Sequence, residues 1–337
     1  EIAIKHAHFV YQQKLGTLLH LQQLANKAVV LDQACADLLR LPAGEMLQLS
    51  AAQAEVLQQF NQNRLQHPPY TIALEGAFHG KTNTALALTH NPVFKMGGMV
   101  ESERVCFIPH QAEALSACFE RLKHPLVKAH YQQTHWQLSM HIHLPAKALL
   151  LEPIQGEGGI VPLPAAVVQS WQNSCRAMGI PIIADEIQCG MGRTGWFCYS
   201  QKLGLEPDYV LLSKSLGGGM AKISACCIAQ SHYLPDFSLM HSSTFAEDEY
   251  SCRIALEALR CAQLPEVQAS IRQQGQKLMA VLSELQASFP RLISAVRGEG
   301  LMLGIEINAD AHYRSNSLRF LRDEKMLGYV LAAWLLK

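Results

Sequence analysis

Two charged side chains stand at the ends of successive apolar runs, and their spacing would allow them to share one site. The run "PIIAD" ends in Asp185, and the later run "DYVLLSK" ends in Lys214. The chain between them is long enough for one helix and one strand, so the two runs fit neighbouring parallel strands. A carboxylate and an amine would then meet at the carboxyl edge of a sheet, where ligands bind in α/β proteins.

The surroundings of Lys214 predict covalent chemistry at its amine. Ser213 and Ser215 flank it, and three glycines follow at 217–219, which leaves room for a flat cofactor. A desolvated lysine can form a Schiff base with an aldehyde. A carboxylate such as Asp185 can hold a proton on the ring nitrogen of pyridoxal phosphate. A direct ion pair between the two side chains is the alternative.

The composition excludes several classes of partner. The chain has 337 residues, 49% of them hydrophobic, and equal numbers of basic and acidic residues, 28 of each. That profile fits a globular protein of one or two domains with a large core. Zero formal net charge argues against nucleic acid and anionic membranes, and no run of 18 apolar residues or secretory signal is visible. We therefore expect a small-molecule partner.

Cysteine and histidine do not predict a metal site. None of the ten cysteines falls in a CxxC pair, which favours reduced thiols in a cytoplasmic protein. The patterns "HAH" at 6–8 and "HIH" at 141–143 would each put two imidazoles on one face of a strand. Because no acidic or cysteine companions lie nearby at ligand spacing, we expect no metal.

Short apolar runs alternate with longer amphipathic stretches from residue 70 onward. Runs such as "AKALLLEPI" predict strands buried on both faces, so the fold class is α/β, with a mostly parallel sheet between helices. The short glycine-rich link before 221–230 predicts an antiparallel pairing with the preceding strand. Residues 15–69 have leucines at helical spacing and predict a helical pair.

The final quarter of the chain predicts a smaller α+β domain. Residues 264–289 read as one long amphipathic helix, and 293–307 as two strands about a Gly-Glu-Gly turn. We therefore divide the chain into a major domain, 1–262, and the start of a small domain, 263–337.

Five motifs occur in one order with spacing similar to that of a known family. They are "FHGKT" at 78–82, "EPIQGEGG" at 152–159, "ADEIQCGMGRTG" at 184–195, "PDYVLLSKSLGGG" at 207–219 and "HSSTF" at 241–245. Together they resemble the class III aminotransferases, pyridoxal-phosphate enzymes of fold type I. The resemblance covers nearly all of 70–307. It implies a homodimer that moves an amino group, at a terminal carbon, between a donor and an aldehyde or ketone.

The resemblance also implies roles for individual residues. Lys214 is then the lysine that binds the cofactor aldehyde, and Asp185 the partner of the ring nitrogen. Phe78 resembles the aromatic that stacks on the ring, with His79 beside it, and Gln188 would lie near the ring hydroxyl.

Three further residues follow from the same resemblance. Thr244 resembles the threonine that reaches the cofactor phosphate of the neighbouring subunit, although a helix N-cap is an equal alternative for this hydroxyl. Glu152 and Glu157 would face substrate, and the acid that corresponds to Glu157 pairs with an arginine in several members. The alternative for both acids is a solvated loop position.

The chain also departs from the family pattern. "EIAIKHA" resembles the helix that follows the phosphate-binding turn, so we expect that turn and a C-terminal arginine to lie outside this chain. Residues 15–69 are an insertion relative to ornithine and acetylornithine enzymes. An aminomutase, and a noncatalytic cofactor-binding module of a larger biosynthetic enzyme, stay open as alternatives.

Overall fold

The computed structural model describes residues 1–18, 20–95, 103–244, 246–308, 315–323 and 326–335. The helices are α1 (Ile2–Leu15), α2 (Gln33–Leu39), α3 (Ala51–Leu65), α4 (Asn83–Leu88), α5 (Ala114–Leu122), α6 (Ala165–Met178), α7 (Tyr199–Leu203), α8 (Phe237–Met240), α9 (Glu249–Gln263), α10 (Pro265–Ser288), α11 (Asn316–Asp323) and α12 (Leu327–Leu335). The strands are β1 (Ala28–Leu31), β2 (Met46–Gln48), β3 (Tyr70–Leu74), β4 (Val105–Ile108), β5 (His124–Gln132), β6 (His135–His143), β7 (Ala146–Leu151), β8 (Ile154–Gln155), β9 (Val161–Pro162), β10 (Ile182–Asp185), β11 (Tyr209–Leu212), β12 (Ala225–Ile228), β13 (Ile293–Glu299) and β14 (Met302–Ile307).

A six-stranded sheet forms the centre of the described structure, in the order β12-β11-β10-β7-β3-β4. The pairs from β11 to β4 are all parallel. Strand β12 pairs antiparallel with β11, as the short link before it predicts. The predicted α/β class with a mostly parallel sheet is therefore confirmed.

The central strands form because their residues are apolar on both faces. Every residue of β7 and β10 is buried, as expected for strands covered by helices on each side. Helix α6 connects the two strands and ends at Gly179, whose φ of 64° lies in the left-handed region that glycine adopts most readily. This crossover brings the carboxyl ends of β7 and β10 to the same edge.

The predicted elements after residue 262 are also present. Helix α10 covers the predicted long helix at 264–289, and β13 pairs antiparallel with β14 around the predicted turn. A Cβ at Gly275 of α10 would come within 2.4 Å of the Gly300 carbonyl oxygen, so this helix approaches the turn too closely for any side chain there.

The prediction of a helical pair over 15–69 is wrong in part. Besides α2 and α3, this segment contains β1 and β2, which extend a second sheet in the order β2-β1-β6-β5. Strand β1 pairs parallel with β6, more than 100 residues later in sequence. A local helical pattern could not reveal this pairing because the partner strand is remote.

The second sheet has an apolar core of its own. Leu31, Leu57 and Leu138 are fully buried between the sheet and its helices. The buried Asn61 of α3 donates to the Val127 carbonyl oxygen and accepts from the Val127 amide, each at 2.8 Å. This amide therefore ties α3 to the β5 backbone.

One of the two histidine pairs lies on a helix and the other lies on a strand. His6 and His8 lie on α1, so the helix expected for "EIAIKHA" is present and the strand considered for "HAH" is not, whereas His141 and His143 lie on β6. Among the described residues, no group of three or more metal-binding side chains converges. Within the same part of the chain, no helix is long and apolar enough to cross a membrane.

Candidate active site

Four neighbouring strands end at one edge of the main sheet, and a residue of the predicted site lies at or after the end of each. His79 follows β3, Glu152 follows β7, Asp185 ends β10 and Lys214 follows β11. These strands are consecutive in the sheet, in the order β11-β10-β7-β3. Parallel strands present their carboxyl ends together, so the topology gathers the four side chains at the edge where α/β proteins bind ligands.

The partner of Asp185 is His79. The Nδ1 atom of His79 lies 2.8 Å from Asp185 Oδ2, and the two side chains are only 3% and 6% exposed. The backbone amide of Ile187 donates to the other carboxylate oxygen at 3.2 Å. The buried carboxylate is therefore satisfied and held in one orientation without an ion pair to Lys214.

The surroundings of His79 favour its protonated form. Burial alone would lower the pKa of His79, but the hydrogen bond and the charge of Asp185, together with the charge of Glu152, raise it overall. The Nε2 atom of His79 is buried and has no hydrogen-bond partner among the described residues. A buried polar atom in this state marks a place where a further group can bind.

Glu152 joins two turns at this edge. Its carboxylate accepts from the amide of Phe78 at 3.0 Å and from the amide of Gly156 at 3.2 Å. Burial raises its pKa, while these contacts and the charge of His79 act in the opposite direction. Glu152 is 5% exposed, so the alternative of a solvated loop acid is wrong for this residue. These hydrogen bonds therefore hold the turn that carries Phe78 against the loop after β7.

Lys214 has an unusual backbone conformation. Its φ is 45°, in the left-handed region that residues other than glycine rarely adopt. That conformation costs about 1–2 kcal/mol in a residue with a side chain, and such strain is concentrated at functional sites. The side chain is exposed at the start of a short 3-10 turn, Lys214–Gly217, so the expectation of a desolvated amine is wrong, and the amine is instead open to a ligand.

Phe78 and Gln188 lie at the turns around these charged groups. Phe78 is half-buried, and its ring packs edge to face on Phe94, with ring centroids 5.4 Å apart. Gln188 lies directly against Gly156, where a Cβ atom would come within 1.6 Å of Gln188 Oε1. Only glycine at position 156 leaves space for this side chain.

Thr244 and Glu157 are both exposed, as Lys214 is. Thr244 is exposed in the loop before α9. The N-cap of α9 is Asp248, which accepts from the amide of Ser251 at 2.9 Å, so the N-cap alternative for Thr244 is wrong. Glu157 is exposed on the turn at 156–159, in contrast to the buried Glu152.

Sequence reasoning missed several contacts made by acids of this region. The pairing of Asp185 with His79 depends on how the turn after β3 folds, which the sequence pattern does not specify. Glu186, the second acid of "ADE", is fully buried and accepts from the Ser200 amide at 2.6 Å. Asp185 is the last residue of β10, and Glu186 follows it directly. Successive side chains along a strand point to opposite sides of the sheet, and that alternation is the signal that could have separated the two acids.

Comparison with known proteins places the chain in a family. Residues 18–331 match the family described as aminotransferase class III. The chain is 31% identical over 243 residues to an acetylornithine aminotransferase of Prochlorococcus marinus, which covers 71% of this chain and 53% of that protein. It is 35% identical over 240 residues to a putrescine aminotransferase of Pectobacterium atrosepticum, which covers 70% and 47%. The chain thus spans about half the length of the curated relatives it matches.

Solved structures show the same fold. An ornithine aminotransferase from Toxoplasma gondii aligns with a TM-score of 0.60 at 22% identity, over 81% of this chain and 60% of that chain. An amine transaminase from an uncultivated Pseudomonas species aligns with a TM-score of 0.60 at 20% identity, over 75% and 58%. Both are fold type I transaminases. With the family match over most of its length, the chain belongs to the class III aminotransferases.

Proposed function

We propose that this chain carries the catalytic centre of a pyridoxal-phosphate-dependent aminotransferase, which moves an amino group from a donor amine to an aldehyde or ketone. The observation that carries the proposal is the position of Asp185 and Lys214. A buried carboxylate ends β10, and an exposed, conformationally strained lysine follows the adjacent β11. Family membership supports this reaction class over an aminomutase.

The residues present fit the cofactor. A protonated pyridine nitrogen needs a buried, ionised carboxylate, and Asp185 is buried and accepts hydrogen bonds at both oxygens. An aldehyde needs an accessible amine, which Lys214 offers. The buried Nε2 of His79, without a partner in the described structure, adds a polar atom for a bound group. When bound, the cofactor would supply an electron sink for proton transfer at the substrate carbon, and its aldehyde carbon would hold the amino group between the two substrates.

Each residue then has a defined task. Asp185 would keep the proton on the ring nitrogen, and the contact of His79 Nδ1 with Asp185 Oδ2 would keep the carboxylate oriented. Lys214 Nζ would remove and return a proton at the reacting carbon of the substrate. The aromatic ring of Phe78 would lie on the face of the cofactor ring, held there by the contact of Glu152 with its backbone. Gln188 would lie near the ring hydroxyl.

We further propose that the donated amine is at a terminal carbon. The relatives named for acetylornithine and putrescine support this class of substrate. Glu157 would face the substrate, because it is exposed on the turn next to the buried Glu152.

We also propose a homodimer with shared sites in the cytoplasm. Thr244 is exposed and is not the cap of α9, so its hydroxyl is available for the phosphate of the cofactor bound to the other subunit. The ten free cysteines support a reducing compartment.

A panel of amino donors tests the reaction and the substrate class separately. The full chain with pyridoxal phosphate is mixed with putrescine, N-acetylornithine or alanine, and the change in cofactor absorbance and the aldehyde or keto product are measured. We expect the two terminal amines to react and alanine to react more slowly. Reaction with alanine alone would overturn the substrate class, and no reaction with any donor would overturn the proposed activity.

A further inference from the structure

Two buried thiols lie side by side on the outer part of the main sheet, away from the candidate site. Cys106 lies on β4, the edge strand, and Cys118 lies on α5, which packs against it. Their sulfur atoms are 2.8 Å apart. A disulfide bond is about 2.05 Å long, so a movement of under about 1 Å would bring the sulfurs to bonding distance.

A cation reaches this thiol pair from the protein surface. Arg121, in the last turn of α5, is exposed, and its Nη2 donates to Cys106 Sγ at 2.8 Å. The hydrogen bond from Cys118 and the charge of Arg121 lower the pKa of Cys106, although burial opposes this. The same contact with Cys106, together with burial, raises the pKa of Cys118. One sulfur therefore favours the thiolate and the other favours the thiol.

We propose that Cys106 and Cys118 are a redox-active dithiol, in which Cys106 is oxidised first and Cys118 completes a disulfide. With hydrogen peroxide as the oxidant, the Cys106 thiolate attacks one peroxide oxygen, the O–O bond breaks, and the hydroxide that leaves takes up the proton lost by the Cys106 thiol to become water. Cys118 Sγ then attacks the sulfenic sulfur, and the second oxygen leaves as water after taking up the remaining proton. In total, two thiols and one peroxide give one disulfide and two waters.

Other buried thiols of the chain provide a contrast. Cys175 and Cys189 are buried in the same core, and burial raises the pKa of each. Thiols that stay protonated are poor nucleophiles. Oxidation is therefore expected at Cys106 and Cys118 before these two residues, although all four are buried.

The disulfide would link β4 to α5 and close the loop between them. Cross-linking restricts the unfolded chain more than the folded one, so oxidation should raise the melting temperature reversibly. The residues of the candidate site follow β3, β7, β10 and β11, not β4. The proposal is therefore independent of the proposed enzymatic function.

A single peptide reports on the pair. Trypsin cleaves after Arg104 and Arg121, so peptide 105–121 contains both thiols and no other cysteine. The folded protein is treated with peroxide at pH 7, denatured and alkylated, and the peptides are weighed. We expect peptide 105–121 to resist alkylation and to be lighter than the dithiol by two hydrogen atoms, while Cys175 and Cys189 are alkylated. Full alkylation of both thiols in 105–121 would overturn the proposal.

Three variants test the order of events. In Cys118→Ser, we expect Cys106 to stop at the sulfenic acid, which dimedone captures, and in Cys106→Ser we expect Cys118 to stay reduced. In Arg121→Gln, read on the peptide extended to Lys123, oxidation should slow by roughly tenfold. Dimedone capture at Cys118 in Cys106→Ser, or an unchanged rate in Arg121→Gln, would contradict the assigned roles.

Discussion

Asp185 and His79 form a buried pair at the end of β10, with Glu152 close by. The sequence predicted the positions of Asp185 and Lys214 because each ends an apolar run, and strand order then brings them to one edge. The sequence did not predict that His79 would contact Asp185, or that Glu152 would hold the backbone of Phe78. Those contacts depend on the conformations of turns, which apolar periodicity does not encode.

The charge of Asp185 can be tested without changing its shape. Asp185→Asn should keep the protein folded but lower the rate of amino transfer by several orders of magnitude, because a neutral amide cannot keep the ring nitrogen protonated. Steady-state kinetics measure the effect, and Glu206→Gln, which alters a largely exposed carboxylate, is the control. A loss of less than about tenfold, equal to about 1.4 kcal/mol of barrier, would contradict the role of this carboxylate.

Among the elements, the contact of α3 with β5 makes a separate prediction. Asn61→Leu removes both hydrogen bonds to Val127 and leaves a buried amide and carbonyl unsatisfied, which costs about 1–3 kcal/mol for each group. We expect a lower midpoint of urea unfolding, while Gln62→Ala, an exposed change on the same helix, should have little effect. Equal midpoints for the two variants would show that the amide of Asn61 does not support the second sheet.

The half-buried imidazole of His143, the last residue of β6, should make the stability of the fold depend on pH. Burial, with a smaller contribution from His124, lowers the pKa of His143 to about 4, and its Nε2 lies 2.7 Å from the Tyr11 hydroxyl on α1. The unfolded chain therefore takes up this proton first, and stability falls as pH drops from about 6.5 toward 4. The melting temperature of His143→Gln should decrease less over this pH range than the melting temperature of the wild type. An identical decrease would mean that His143 is not responsible.

The second sheet also explains where prediction of elements failed. The segments that form β1 and β2 are three or four residues long and lie among leucines at helical spacing. Strand β1 forms because it pairs with β6, which is remote in sequence, and β2 forms because it pairs with β1. The parallel strands of the main sheet were predictable because their apolar runs are continuous and need no such partner to be recognised.

For the whole molecule, we propose that the chain divides into two domains at residue 262. We also propose that it forms a dimer in which each subunit completes the site of the other. Thr244→Val should weaken cofactor affinity by roughly 1.5–3 kcal/mol, the value of a hydrogen bond to a charged group. Ser242→Ala, at an exposed neighbouring position, serves as the control. Fluorescence titration gives the affinities. A monomer that binds the cofactor with full affinity would refute the contribution across subunits.

Mixing variants tests the shared site directly. Lys214→Ala and Thr244→Val subunits, each inactive at limiting cofactor, should form hybrid dimers in which one site has both defects and the other has neither. Activity should therefore return on mixing. If activity does not return although hybrid dimers form, each subunit builds its site alone.

Covalent capture at Lys214 tests the account most directly. Borohydride treatment of the protein with pyridoxal phosphate should attach the cofactor to Lys214, which peptide mass spectrometry identifies. Lys214→Ala should lose both this attachment and amino transfer, since Lys214 directly follows β11 at the edge where Asp185 ends β10. Lys222→Ala, at an exposed position farther along the same loop, should retain both. Attachment of the cofactor to another lysine, or amino transfer above a trace in Lys214→Ala, would contradict the account.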